Sequence, residues 1–182
     1  MQHRSQKSSD QWLDEGATLA KSGRYQEALT AFEHAIRLNP NSAFAYANKG
    51  KVLMNLERHQ EALTCFEHAI RLNPNLPVYN DMGLVLMELG RHADALEAFA
   101  HALRLNPNSP LAYINMGNVY MSLGLYQDAL TTFELVIRLF PDPALVAPVY
   151  YNMGTVFKFL GRDQEALTYL EHAIRLNPNL AG

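Results

Sequence analysis

Apolar side chains recur along the chain at three- and four-residue spacing, which is typical of helices that bury one face. One such stripe comprises Phe44, Tyr46, Ala47, Gly50, Leu53 and Met54. A second stripe follows and comprises Ala62, Leu63, Phe66, Ala69 and Ile70. Between the two stripes the periodicity breaks near Glu57, where four similar stretches elsewhere in the chain have glycine. The pattern therefore predicts two amphipathic helices joined by a tight turn.

This two-helix pattern occurs five times. The nonapeptide EHAIRLNPN occupies 33–41, 67–75 and 171–179, and related segments lie at 100–108 and 134–142. Successive copies of its proline are 34, 33, 34 and 37 residues apart, and a glycine 24 residues before each proline keeps the same spacing. Those glycines are Gly16, Gly50, Gly83, Gly117 and Gly154. The fixed period indicates a repeat architecture in which each unit packs on its neighbours.

The period also predicts the domain organisation. We expect a flexible N-terminal segment at 1–8 and a single repeat array at 9–179. The predicted repeats are about 9–42, 43–75, 76–109, 110–143 and 147–180.

Asparagine and proline mark the predicted helix ends. Asparagine precedes the repeat proline in four of five copies, and it tolerates the left-handed cap conformation, so we expect such a cap there. Pro77, Pro110 and Pro148 lie near the predicted starts of first helices, where a missing N–H costs little. The segment FPDPALVAP at 140–148 departs from the usual link, and either changes the angle between repeats or adds a turn. We predict a local break in the array there.

The order of residues within each unit resembles the tetratricopeptide repeat, a helix-turn-helix unit of about 34 residues. The first copy carries the pattern as Trp12, Gly16, Leu19, Tyr25, Ala28, Phe32, Ala35 and Pro40. The resemblance implies an all-α fold, a right-handed α-solenoid of five repeats, as in scaffold proteins of bacterial type. It also implies that first helices line a concave groove. Glycine and alanine at fixed positions allow the two helices of a unit to approach closely.

A polar position on the first helices gives the candidate binding site. Two residues before each repeat glycine lie Asp14, Asn48, Asp81, Asn115 and Asn152. The resemblance implies that such residues form a ladder that hydrogen-bonds the main chain of an extended peptide. Asparagine suits this role because it offers both a donor and an acceptor. The alternative is a polar residue that only solvates its helix. The predicted groove is completed by Lys51, Leu84, Asn118 and Tyr151.

Composition narrows the choice of partner. The formal charge is −3, without the basic excess typical of nucleic-acid binders, so we expect no nucleic-acid partner. No apolar run has the length of a membrane span, and the first eight residues lack the apolar stretch of a secretory signal, so we expect a cytoplasmic protein without a membrane partner. Cys65 is the only cysteine, which fits a reducing compartment.

Catalytic and metal-binding motifs are missing from the sequence. No phosphate-binding glycine loop, HExxH or Gly-x-Ser-x-Gly occurs, so we expect no enzyme activity and no cofactor. Histidines recur at one second-helix position as His34, His68, His101 and His172. Neighbouring helix axes lie ~8–10 Å apart, too far for two of these rings to share an ion easily. We interpret them as solvated surface residues and predict no metal site.

Two functions remain open. The first is a scaffold that binds an unidentified protein or peptide segment in the groove. The second is a self-assembling array, or part of a longer protein, that associates as a homo-oligomer through its terminal repeats. The last repeat favours the second, because its apolar residues lack a following helix to cover them. These residues are Leu167, Leu170, Ile174 and Leu176.

Overall fold

The computed structural model describes residues 7–181, and in this range the chain forms ten α-helices and no strand. Its contacts divide the chain between Arg91 and His92 into two compact units. The first unit contains α1 (Ser9–Lys21), α2 (Tyr25–Leu38), α3 (Ala43–Asn55), α4 (His59–Leu72) and α5 (Tyr79–Glu88). The second contains α6 (His92–Leu105), α7 (Pro110–Ser122), α8 (Tyr126–Leu139), α9 (Pro143–Phe159), α10 (Asp163–Leu176) and a short 3₁₀ turn, Pro178–Ala181. The all-α class is confirmed.

Each unit is built by packing consecutive helices. In the first unit α1 packs on α2, α2 on α3, α3 on α4 and α4 on α5. In the second unit α6 packs on α7, and the series continues through α10. First helices of successive repeats also touch directly, α1 with α3 and α7 with α9. The predicted segment at 1–8 lies mostly outside the described residues. Ser8 is the N-cap of α1, and its side chain accepts a hydrogen bond from the Gln11 N–H.

The repeat glycine of each first helix faces a large side chain of the second helix. A Cβ added at Gly117 would lie 2.4 Å from Cε1 of Phe133, whose ring is fully buried. In the last repeat Gly154 faces Leu170 instead. The same contact joins Gly16 to Phe32 and Gly50 to Phe66. The glycine is therefore required for close helix packing in these four repeats, as its spacing predicts.

The turns within repeats need a left-handed residue. Four of the five use glycine with φ between 69° and 76°: Gly23, Gly90, Gly124 and Gly161. The remaining turn places Glu57 at φ 57°, a conformation in which its Cβ is crowded. The predicted break near Glu57 is confirmed.

The predicted left-handed asparagine cap is wrong. Asn39, the residue after α2, has φ −136° and ψ 88°, and the asparagines after α4 and α10 are similarly extended. The Asn39 side-chain oxygen accepts a hydrogen bond from the Asn41 N–H at 3.2 Å. The same side-chain turn recurs at Asn73, Asn106 and Asn177. Phe140 after α8 has the same extended conformation, with φ −132° and ψ 70°, although it has no amide side chain. These helices therefore stop because the following proline disfavours the helical conformation of the residue before it, and the asparagine side chain adds a local hydrogen bond.

Residues 143–148 of the insertion at 140–148 are helical and lengthen α9, which is the extra-turn alternative. Asp142 caps α9, and its side chain accepts a hydrogen bond from the Ala144 N–H at 3.0 Å. The helix then runs for 17 residues, against 13 for α1, α3 and α7. Pro148 is therefore the sixth residue of α9, beyond the first turn where we expected it. At that depth proline removes one helical hydrogen bond.

The repeated histidines have a packing role that the sequence analysis missed. His34 stacks on Trp12 of the same repeat, with ring centroids 4.4 Å apart. Equivalent ring pairs join Tyr46 to His68 and Tyr150 to His172. In each of these three pairs the histidine follows the aromatic residue by 22 residues, and this constant separation could have predicted the ring contact from the sequence.

Candidate functional site

All nine candidate site residues lie on first helices. Asp14 is on α1, Asn48 and Lys51 on α3, Asp81 and Leu84 on α5, Asn115 and Asn118 on α7, and Tyr151 and Asn152 on α9. Asp14, Lys51 and Tyr151 are exposed, and the other six are half-buried. Because the chain divides into two units, these residues form one surface on α1, α3 and α5 and another on α7 and α9. We call these the first-unit surface and the second-unit surface.

An ion pair joins neighbouring first helices on the first-unit surface. Lys51 Nζ on α3 lies 3.2 Å from Asp81 Oδ2 on α5. The lysine side chain is 50% exposed, so solvent screens the pair, and such pairs contribute ~0.2–1 kcal/mol. The pair brings two polar groups of neighbouring first helices together on this surface.

A cleft of about 270 Å³ opens between α1 and α3 on this surface. Its polar groups come from Lys21, Asn48, Lys51 and Asn55, and Ala17 and Tyr25 are among its other walls. The predicted residues Asn48 and Lys51 therefore border a shared depression. Asp14, on α1, is not among the residues that line this cleft.

A second cleft, of about 550 Å³, lies between α5 and the turn that follows α3. Leu84 and Met54 form part of its apolar wall, and Glu57 and Glu88 line it. The His59 Nδ1 atom is buried and has no hydrogen-bond partner among residues 7–181. The first-unit surface thus combines apolar, acidic and amide groups.

The second-unit surface is held by an amide pair. Asn152 Nδ2 on α9 donates a hydrogen bond of 2.9 Å to Asn118 Oδ1 on α7. An asparagine side chain offers two donors and an acceptor with two lone pairs, so both residues keep unused hydrogen-bonding capacity. Tyr151 is exposed beside this pair, and Asn115 lies half-buried one turn before Asn118.

The two contacts share one register, which the sequence analysis missed. Lys51 and Asn118 each follow their repeat glycine by one residue, while Asp81 and Asn152 each precede the next repeat glycine by two. The structure brings these positions together across adjacent repeats in both units. Complementary side chains at these two positions were a detectable signal, but we treated each residue as a separate ligand contact.

Little in the described residues suggests reactive chemistry. No group of three or more potential metal ligands clusters within residues 7–181. Cys65 is buried on α4, and desolvation raises the pKa of its thiol, which disfavours the nucleophilic thiolate. Of the ten helices, none combines the length and apolar character needed to cross a bilayer.

Models of the tetratricopeptide repeat match most of the chain. One, described as Tetratricopeptide repeat, matches 108–179, and another, described as TPR repeat, matches 16–57 and 83–124. A third, also described as Tetratricopeptide repeat, matches 43–76. A comparison with curated proteins finds no match.

Solved structures share the fold over nearly the full length. The crystal structure of MamA is 22% identical, with a TM-score of 0.84 over 95% of this chain and 93% of that one. MamA from Desulfovibrio magneticus is 18% identical, with a TM-score of 0.86 over 94% and 96%. YrrB, described as a TPR protein with an unusual peptide-binding site, is 27% identical, with a TM-score of 0.80 over 94% and 88%.

Proposed function

Because this chain belongs to the tetratricopeptide repeat family, we propose that it is a protein-interaction scaffold whose first helices bind an extended peptide segment. The observation that carries the proposal is the contact between polar residues of successive first helices. Lys51 pairs with Asp81, and Asn152 pairs with Asn118. In each unit, polar groups of two successive repeats thus meet at the same register, and we infer that they belong to a row.

Such a row suits recognition of a peptide main chain. An extended peptide presents an N–H and a C=O at every residue, whatever its side chains. Asn118 and Asn152 retain donors and an acceptor after bonding each other, so both kinds of backbone group find partners. On the first-unit surface Asp81 accepts from ligand N–H groups and Lys51 donates to ligand C=O groups. The likeness to YrrB, at 27% identity, supports peptide binding as the mode.

The direct test compares binding of one peptide to matched variants. A peptide selected from a random library on the wild-type chain is titrated against Asn48→Ala, Asn115→Ala and Asn152→Ala by fluorescence anisotropy. A lost hydrogen bond contributes ~0.5–1.5 kcal/mol, so we expect each change to weaken binding by about two- to twelvefold. N-methylation of the peptide amides that face these residues weakens binding similarly, whereas alanine substitution of the peptide side chains has less effect.

Amides on second helices provide the matched control. Gln26→Ala, Gln127→Ala and Gln164→Ala remove exposed amides from α2, α8 and α10 and should leave the affinity unchanged. The proposal fails if the asparagine and glutamine variants lose affinity equally, or if backbone methylation has no effect.

Self-association through α10 is a second candidate function. Leu167 is 52% exposed, and Ile174 and Leu176 are also exposed. Leu170, which we expected to lack cover, instead packs against Gly154. Light scattering of the wild type and of Leu167→Gln/Ile174→Gln at rising concentration tests this candidate. Dimerisation of the wild type alone favours it, and a monomeric mass for both counts against it.

A further inference from the structure

The turn between α7 and α8 lacks an ion pair that other repeats carry. In the first repeat Arg24 Nε and Nη2 donate hydrogen bonds of 2.7 and 2.5 Å to the Glu27 carboxylate three residues later. The same bidentate pair joins Arg58 to Glu61 and Arg162 to Glu165. Repeat four has Leu125 at the arginine position and retains the acid as Asp128. The acid therefore remains where its cation has been replaced by an apolar side chain.

Asp128 consequently has unused capacity for a cation. It is exposed in the first turn of α8, and its carboxylate has no ion pair or hydrogen bond within residues 7–181. In three other repeats the equivalent carboxylate binds a guanidinium through both oxygens. The backbone of this turn thus positions an acid so that an arginine can reach it.

An exposed aromatic ring stacks on Tyr126, which lies two residues before this acid in α8. Phe159 ends α9 and stacks on Tyr126, the first residue of α8, with centroids 5.7 Å apart and planes 9° apart. The other repeats have polar residues at the position of Phe159: Lys21, Asn55, Glu88 and Ser122. Phe159 is nevertheless 64% exposed, and Leu123, Leu125 and Leu160 are 41–45% exposed. These apolar residues therefore gain little from burial within their own chain.

Exposed apolar groups beside one unpaired charge are characteristic of a binding surface. Large apolar patches are uncommon on monomers and mark interaction sites when polar groups border them. Interfaces concentrate their binding energy in a few aromatic and arginine anchors. Here the protein supplies the aromatic anchor and the acid, so the complementary partner supplies an apolar side chain and a cation.

We propose that the turn edge formed by Leu125, Tyr126, Asp128, Phe159 and Leu160 binds a partner segment that places an apolar side chain on Phe159 and an adjacent arginine or lysine on Asp128. The partner's cation occupies the place that Arg24, Arg58 and Arg162 fill in their own repeats. This surface involves none of the asparagines proposed to bind a peptide main chain, so it stands or fails separately from them.

The test uses variants that restore residues of other repeats and should therefore fold. Leu125→Arg supplies the missing arginine, and Phe159→Ser introduces the residue that repeat four has at that position. A phage library of random 12-residue peptides is selected on the wild-type chain, with the soluble L125R/F159S variant present as competitor. We expect enriched peptides to carry an apolar residue next to arginine or lysine. Thermal unfolding verifies that the variants are folded.

The selected peptides then separate the two parts of the proposed contact. L125R/F159S should raise the Kd at least about tenfold, as for loss of an interface anchor. Asp128→Asn should raise it about two- to fivefold, as for an exposed ion pair, and replacing the peptide's arginine with citrulline should have the same effect. Phe44→Ser, which removes a ring 61% exposed on α3, is the control and should leave the Kd unchanged.

Several results would overturn the proposal. The proposal is wrong if the enriched peptides contain no basic residues. It is also wrong if no selected peptide binds the wild type more tightly than L125R/F159S. Loss of binding in the combined Asn48→Ala, Asn115→Ala and Asn152→Ala variant would move these peptides to the first-helix surfaces. Dimerisation of the wild type but not of L125R/F159S in sedimentation velocity would make a second copy of the chain the occupant.

Discussion

The contact between Gly117 and Phe133 gives a quantitative prediction for Gly117→Ala. The added Cβ would lie 2.4 Å from Cε1 and 2.8 Å from Cδ1 and Cζ of the ring. Ordinary carbon contacts are about 3.5–4.0 Å, so the ring must move by about 1 Å. Phe133 is fully buried between Ala129, Val149 and neighbouring side chains, so its displacement strains the core.

Two opposing effects set the size of the change. Overpacking of a core costs ~1–3 kcal/mol, whereas alanine in place of glycine within a helix contributes up to ~1 kcal/mol. We therefore expect Gly117→Ala to lower the free energy of unfolding by ~0–2 kcal/mol, measured by urea denaturation with circular dichroism at 222 nm.

A second background identifies the cause. Phe133→Ala removes the ring and should itself cost ~3–5 kcal/mol. In that background Gly117→Ala should be neutral or stabilising, because only its helix propensity remains. An equal cost of Gly117→Ala in both backgrounds, or a gain in the wild-type background, would refute the steric explanation.

Three further predictions follow from single residues. Glu57→Gly should raise the thermal unfolding midpoint, because glycine adopts the left-handed conformation without strain, which contributes ~1 kcal/mol or more. This gain exceeds the loss from the greater conformational entropy that glycine gives the unfolded chain, and a lower midpoint would contradict the prediction. The hydrogen bond from Arg24 lowers the pKa of Glu27, so the pair's stabilisation is present above the unfolded carboxyl pKa of about 4.3 and is lost as pH falls through the folded value. NMR titration of Arg24→Gln should return the Glu27 pKa towards its ordinary value, and an unchanged pKa would exclude the arginine as its cause. Burial raises the pKa of Cys65, so iodoacetamide should modify it at least about tenfold more slowly than a free cysteine at pH 8, and equal rates would show that the thiol is accessible.

Sequence periodicity predicts the helices and their internal packing because these depend on residues within one repeat. The position of Gly117 opposite Phe133 follows from a fixed spacing and from the need of two helices to approach. The turn at Glu57 follows similarly from the glycines of its counterparts.

Contacts between repeats were harder to predict. The pairing of Lys51 with Asp81 depends on how far one first helix is displaced along the next, which periodicity within a repeat does not specify. The stacking of His34 on Trp12 was missed because we considered histidine only as a metal ligand or a solvated residue. The asparagine caps were wrong because we considered asparagine alone, whereas the proline after it favours an extended backbone at the preceding residue.

The most direct test of the proposed function is to map where a selected peptide binds. Amide chemical-shift changes should be recorded on the ¹⁵N-labelled chain during titration with the library peptide whose affinity depends on the asparagines. We predict that the largest changes fall on the first helices, around Asn48, Lys51, Asn118 and Asn152. Changes confined to the second helices α2, α4, α6, α8 and α10 would contradict binding along the first-helix surfaces.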